Sequence, residues 1–221
     1  MTNTKAGNSE KKPDAATLER DSGYLKILEL DFSEMIPFVL ANIRRPGIIP
    51  LLYMGINISF LVFIFLFTIL SVKNASITGG RAFWQILAGI LAGSILVIPP
   101  HELLHGLAYR ILGARKISFG ADFKQFIFYV TADRFPLSKK ELVFLAMVPF
   151  VIINLVIIAS AVTWASRYTL FSASLLLCHN IMCIGDFAVM SYAFSRKGRI
   201  FTFDDTEKKK SYFFEKQVQK D

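Results

Sequence analysis

Long apolar stretches alternate with short polar ones along this chain, and the alternation predicts most of its elements. Ile48 to Val72 contains no charged residue. At about 1.5 Å per residue it is long enough to cross an apolar layer roughly 30 Å thick. Further apolar stretches run from about Ala82 to Gly113, from Glu141 to about Ala165 and from Leu170 to about Phe194. The turns Lys73–Arg81 and Ser166–Thr169 separate the first pair and the last pair. Leu25 to Ile43 is different. Its apolar residues, among them Ile27, Leu28, Leu30, Ile36 and Phe38, are interrupted by Glu29, Asp31 and Glu34, and Arg44-Arg45-Pro46-Gly47 ends it. It is too short and too charged to span, and predicts an amphipathic helix lying at the interface. Between the second and third spans, Ile117, Phe119, Phe123, Phe126, Phe128 and Val130 recur among polar residues around Gly120-Ala121-Asp122. That pattern predicts a short β-hairpin or extended loop at the membrane surface.

The fold class expected is therefore an all-α integral membrane protein. It has four transmembrane helices, a β-like hairpin between the second and third, and an N-terminal interfacial helix. The boundaries are a polar, disordered tail over 1–22, the interfacial segment over 23–47, the four-helix domain over 48–195 and a basic tail over 196–221. In that last tail Phe201-Thr202-Phe203 can pair as a strand, and Lys208-Lys209-Lys210 is placed to meet lipid headgroups.

Composition sharpens this picture. Apolar residues make up 53% of the chain and 21 residues are Phe, as in a polytopic membrane protein rather than a soluble domain. The net charge of +8 is concentrated in the tails and in the loop holding Arg115, Lys116, Lys124, Arg134, Lys139 and Lys140. That distribution suits anionic membrane lipids and gives no sign of nucleic-acid binding. Both termini and this loop are thus expected on the cytoplasmic side of the plasma or inner membrane. The polar N-terminus carries no cleavable signal. Cys178 and Cys183 lie five residues apart in one span, do not face each other on a helix, and read as small filler residues with no disulfide.

The candidate chemistry is Pro99-Pro100-His101-Glu102-Leu103-Leu104-His105-Gly106. Residues four apart share a helix face, so His101 and His105 present two imidazoles to one point, as zinc requires. Glu102 falls beside that point, where a general base for a metal-bound water belongs. Ionisable groups inside a span are costly to bury and tend to be functional. The two prolines interrupt the second span and crowd the carbonyls of Ile95 and Leu96. They leave either a plain kink or a wetter pocket before the site. A catalytic zinc site needs a third protein ligand, and Asp186 and His179 are the candidates. Counting from the cytoplasmic end at 1.5 Å per residue, His105 and Asp186 both lie roughly 12 Å deep, His101 roughly 18 Å and His179 roughly 22 Å. Depth favours Asp186 and leaves His179 as a hydrogen-bonded packing residue. Asn154 and Asn180 fall at similar depths. They either hydrogen-bond across the third and fourth helices or help to hold a substrate backbone.

His101-Glu102-Leu103-Leu104-His105-Gly106, together with Pro149-Phe150 and Gly185-Asp186, resembles a family of small prokaryotic membrane proteins described as putative zincin peptidases. The chain is more distantly similar to the site-2 protease type of intramembrane metalloprotease. The resemblance implies that His101, His105 and Asp186 bind Zn²⁺ and that Glu102 is the catalytic base. Asp186 here sits in Ile184-Gly185-Asp186-Phe187, without the Asn-Pro-Asp-Gly-like context usual in site-2 proteases, and no PDZ domain is present. The expected function is a membrane-embedded zinc metallopeptidase cutting membrane-associated or membrane-proximal proteins or peptides. The alternatives are a non-catalytic metal-binding membrane scaffold or sensor, and a small transporter. No repeated pair of half-spans favours the transporter.

Overall fold

The computed structural model describes residues 12–122, 127–163 and 168–217. Its elements in chain order are α1 (Ala15–Arg20), β1 (Tyr24–Asp31), a 3₁₀ turn (Phe32–Glu34), α2 (Met35–Ile43), α3 (Ile48–Lys73), α4 (Gly79–Leu96), α5 (Ile98–Ile111), β2 (Ile117–Asp122) and β3 (Ile127–Ala132), followed by β4 (Leu137–Ser138), α6 (Lys139–Thr163), α7 (Thr169–Met182), α8 (Ile184–Phe194), β5 (Ile200–Asp205) and β6 (Lys210–Lys216). Among the described residues, α3, α4 and α6 are long and apolar enough to cross a membrane, and α7 with α8 makes a fourth span if the bent pair is counted as one. Large apolar side chains on α3 remain uncovered, Leu51 at 67% and Phe65 at 62% exposure, as on a helix that meets lipid.

Two of the four expected spans are broken, the second where its prolines were expected to interrupt it. The second ends at Leu96, and α5 starts anew at Ile98. Pro99 and Pro100 occupy the first turn of α5, where backbone N–H groups have no helical acceptor, so the prolines begin a helix rather than kink one. The fourth breaks at Cys183, with α7 and α8 inclined by 44°. The start of α6 is a capping box: Ser138 N–H donates to Glu141 Oε2 at 2.8 Å, and Glu141 N–H lies 3.5 Å from Ser138 Oγ.

The all-α expectation is also corrected. A four-stranded antiparallel sheet runs in the order β1-β6-β5-β4, and β2-β3 forms a separate hairpin. The hairpin falls where the pattern placed it. The expected interfacial helix is instead β1 followed by α2. Tyr24 to Asp31 finds a strand partner in Lys210 to Lys216, and pairing its backbone outweighs the weak helical period of so charged a segment. Residues 196–217 are not a loose tail: β5 and β6 alternate their faces. Ile200 and Phe213 pack on Phe38, Val39 and Tyr192, while Phe201, Phe203, Tyr212 and Phe214 cover Ala15 and Leu18. That second cluster also orders residues 12–22, expected to be disordered. Asp14 caps α1 by accepting from Thr17 N–H at 2.7 Å, and Arg134 joins Glu19 at 2.6 Å. Residues 1–11 of the same expectation lie outside the described residues, as does most of the turn at Ser166. Lys208 and Lys210 pair with Asp205 and Glu29 in and beside the β5–β6 turn. Both cysteines are free, as expected.

One sheet joins segments that precede α3, that lie between α5 and α6, and that follow α8. All three therefore lie on one side of any bilayer that the helices cross.

Helices α4 and α7 pack closely through Gly89 and Gly93, a small-xxx-small spacing. A Cβ at Gly89 would overlap the Phe171 carbonyl oxygen and come within 2.8 Å of Ser174 Cβ; one at Gly93 would come within 2.6 Å of Cys178 Cβ. Backbone cannot yield as a flexible side-chain tip can. We expect Gly89→Ala and Gly93→Ala each to destabilise the protein by about 1–3 kcal/mol, read as a lower Tm in detergent. An unchanged Tm in both would contradict this packing.

Candidate metal centre

Helix α5 carries His101 and His105 one turn apart. His101 is its first residue to close a helical hydrogen bond, to the Val97 carbonyl at 3.0 Å. The proline-initiated start thus sets the rotation of the helix at once, and with it the direction of both imidazoles. The break at Cys183 does the same for the third group. It starts α8 at Ile184, which puts Asp186 in the first turn, where a helix N-terminus favours a carboxylate.

The three side chains converge. His101 Nε2 lies 3.1 Å from His105 Nε2 and 3.4 Å from Asp186 Oδ2, and His105 Nε2 lies 3.3 Å from Asp186 Oδ1. Donors at zinc bond lengths in a tetrahedral shell are separated by about 3.3–3.5 Å, so this donor set fits that ion in both chemistry and spacing. A second group shares His101: His179 and Cys183 offer a nitrogen and a sulfur close to its Nδ1.

Each imidazole is held from behind. His105 Nδ1 is 3.1 Å from the Leu145 carbonyl oxygen. That carbonyl is available because residue 149, four positions on in α6, is a proline and has no N–H to donate to it. The bond places the His105 proton on Nδ1 and leaves the Nε2 lone pair facing the other two groups. His101 Nδ1 lies 3.3 Å from His179 Nε2.

Two cavities meet at His101 and Glu102. One, of about 240 Å³, is also lined by His105, Asp186, Tyr109, Phe128, Asp204 and Ser211. The other, of about 610 Å³, is a mostly apolar groove between α2, β3 and the α7–α8 junction, with Ile36, Leu40, Ile127, Phe128 and Met182 on its walls. Glu102 is partly buried, and no hydrogen bond ties its carboxyl to another described residue. It is a free proton acceptor at the confluence of the two spaces. Asp204, on β5, accepts from Ser211 Oγ at 2.6 Å and from the Tyr109 hydroxyl. Burial pushes its carboxyl up to about 6, against the lowering effect of those two hydrogen bonds.

Of the residues singled out from sequence, the structure brings together His101, His105 and Asp186, with Glu102 beside them. Asn154 and Asn180 do not line either cavity. They hydrogen-bond to each other at 2.9 Å, and Asn154 Nδ2 is 3.3 Å from His179 Nδ1, so they stand in the layer behind His101. His179 is fully buried in that same layer. Sequence reading missed the contribution of Cys183, whose Sγ is 3.6 Å from His179 Nε2, although its position four residues after His179 was a signal. It missed Tyr109, which follows His105 by four residues on α5, and Asp204 and Ser211, which reach the cavity through the pairing of β5 and β6, for which the local sequence gives no sign of destination.

Residues 94–200 match the family described as "Putative zincin peptidase", the family whose resemblance was noted in the sequence. No curated protein and no solved structure matches the chain.

A carboxyl group whose pKa is higher folded than unfolded gives stability that is present below 3.8 and lost as pH rises towards about 6. An asparagine has no such loss. We therefore expect the Tm of Asp204→Asn, relative to the unmodified protein, to rise across that interval and level off above it. A difference that is flat with pH would place the Asp204 carboxyl in water.

Proposed function

From the match of residues 94–200 to the "Putative zincin peptidase" family, we propose that the chain is a membrane-embedded zinc metallopeptidase. The observation that carries the proposal is the convergence of His101 Nε2, His105 Nε2 and the Asp186 carboxylate beside an uncommitted glutamate at a cavity junction. A structural metal site would need the three ligands but not the glutamate, and would not need the open space.

In this reading His101, His105 and Asp186 would hold Zn²⁺, which when bound would supply Lewis acidity for peptide hydrolysis. Glu102, beside the three donors, is placed to take the proton of an attacking water and to pass it to the departing amine. The groove, with Ile36, Leu40, Phe128 and Met182 on its walls, suits the apolar side chains of a membrane-associated peptide.

The substrate must be extended at the cut, because a helix hides its carbonyls. β3 supports such a conformation. It pairs with β2 on one side; on the other, the described residues give only a single bridge, from Asp133 to Asp204; and Ile127 and Phe128 lie on the groove wall. A peptide added along that edge would pass Glu102 in extended form. Successive strand residues point their N–H groups to opposite edges, so one of Ile127→Pro and Val130→Pro removes an outward donor. Unchanged cleavage by both Ile127→Pro and Val130→Pro would remove β3 from this role. The charge distribution supports a cytoplasmic position for the sheet, both termini and the β2–β3 hairpin.

The decisive measurement is zinc per chain in the purified protein after washing with a weak chelator. The expected result is one zinc in the unmodified protein, less than a tenth of that in His101→Ala and in Asp186→Ala, and full retention in Glu102→Gln. That last variant should also lose cleavage of a membrane-peptide substrate by about 10²-fold or more. Full cleavage by Glu102→Gln would refute the catalytic assignment, and no zinc in the unmodified protein would refute the metal centre.

A further inference from the structure

The group behind His101 is unlike the one behind His105. His105 Nδ1 is held by a backbone carbonyl, whereas His101 Nδ1 meets a second imidazole, His179, at 3.3 Å. His179 is completely buried at the end of α7, and its own Nδ1 faces the Asn154 amide. We propose that His179 is a positioning residue for the metal centre. It accepts a hydrogen bond from His101 Nδ1–H through its Nε2, and so keeps the His101 Nε2 lone pair directed at His105 and Asp186. This inference rests on the reading of His101 as a zinc ligand.

The tautomers follow from the chain of contacts. An imidazole that binds a metal through Nε2 carries its proton on Nδ1, and that proton needs an acceptor. For His101 the atom within reach is His179 Nε2, which must then be unprotonated, so His179 carries its own proton on Nδ1 and needs an acceptor in turn. Asn154 is the residue there. As placed, its amide nitrogen faces three acceptors, the Phe150 carbonyl at 2.7 Å, Asn180 Oδ1 at 2.9 Å and His179 Nδ1 at 3.3 Å, with only two hydrogens to give. The Asn180 amide nitrogen is meanwhile buried without a partner. Turning both amides resolves this. Asn154 Oδ1 then accepts from His179 Nδ1–H and from Asn180 Nδ2–H; the hydrogen bond to the Phe150 carbonyl is lost, and the amide turns away from that carbonyl so that the two oxygens separate. Amide orientation is an assignment that the hydrogen-bond network itself decides.

The relay Asn180–Asn154–His179–His101 thus spans α7, α6 and α5 and ends at the metal. It gives Asn154 and Asn180 a purpose that does not involve substrate. It also accounts for a buried histidine on the opposite side of His101 from the cavities. Cys183 Sγ, 3.6 Å from His179 Nε2, is a weak donor to the same nitrogen and does not compete for His101.

The test is zinc affinity by competition with a chromophoric chelator, on the full-length protein in detergent, for His179→Phe and His179→Gln. Phenylalanine keeps the volume of the ring and removes the acceptor; glutamine restores an oxygen that can accept from His101 Nδ1–H. The expected result is affinity lower by about 10- to 100-fold in His179→Phe, largely recovered in His179→Gln, with one zinc per chain in the unmodified protein. The metal-free Tm of both variants reports folding, and cobalt in place of zinc reports the geometry of the ligand set by its visible spectrum. Equal affinity in His179→Phe would overturn the inference. So would equal loss in both variants with a common fall in Tm, which is the mark of packing alone. Two zinc ions per chain, falling to one in His179→Phe, would make His179 a ligand with Cys183 and overturn it too. No zinc in the unmodified protein would instead sink the metal centre on which it rests.

Discussion

Backbone N–H and C=O groups in an apolar surrounding must find partners within the protein, and in this molecule each irregularity in the helices is placed where the metal centre uses it. Pro99 and Pro100 start α5 without unsatisfied donors, and the next residue is His101. Pro149 leaves the Leu145 carbonyl without its helical donor, and His105 Nδ1 occupies it. The break at Cys183 gives α8 its own N-terminus, and Asp186 stands in its first turn. At Pro149 the freed carbonyl of α6 is completed by a polar side chain from α5, so there helix packing and site geometry are one problem.

The same coupling explains why the helices can come so near one another. Gly89 and Gly93 let α4 meet the backbone of α7, which carries His179 and Asn180 at its far end. A wider separation there would pull His179 away from His101. The apolar exterior of α3 contributes no site residue and presents its side chains outward. The division of labour is between an outer helix with an exposed apolar surface and an inner set, α5 to α8, that holds the polar groups.

The sheet supplies what the helices cannot. By pairing β1, β4, β5 and β6 it ties three segments distant in sequence to one side of the helices, and it sets Asp204 and Ser211 across the cavity from His105 and Asp186. The cavity wall is therefore half helix and half strand, with carboxylates on both. Arg134, paired with Glu19 and Asp205, fastens α1 and the sheet edge to the segment after β3. That end of the cavity is consequently a fixed wall and not a loose tail.

The sequence by itself determined the apolar spans, the hairpin after the second of them, and the presentation of His101, Glu102 and His105. Those features depend on helix period, apolar length and strand alternation, which are properties of contiguous residues. Depth along a span was enough to choose Asp186 as a partner, because helices joined by one bilayer share a common scale. The strands at Tyr24–Asp31 and Ile200–Asp205 were only half legible, since a short charged segment becomes a strand when a partner edge exists and that edge lies far away in the chain. Only the tertiary structure decided what stands behind each histidine. Leu145, His179 and Asn154 reach the ligands across helix interfaces, at angles set by the breaks at Val97 and Cys183, and those angles follow from side-chain packing between helices that no local pattern encodes.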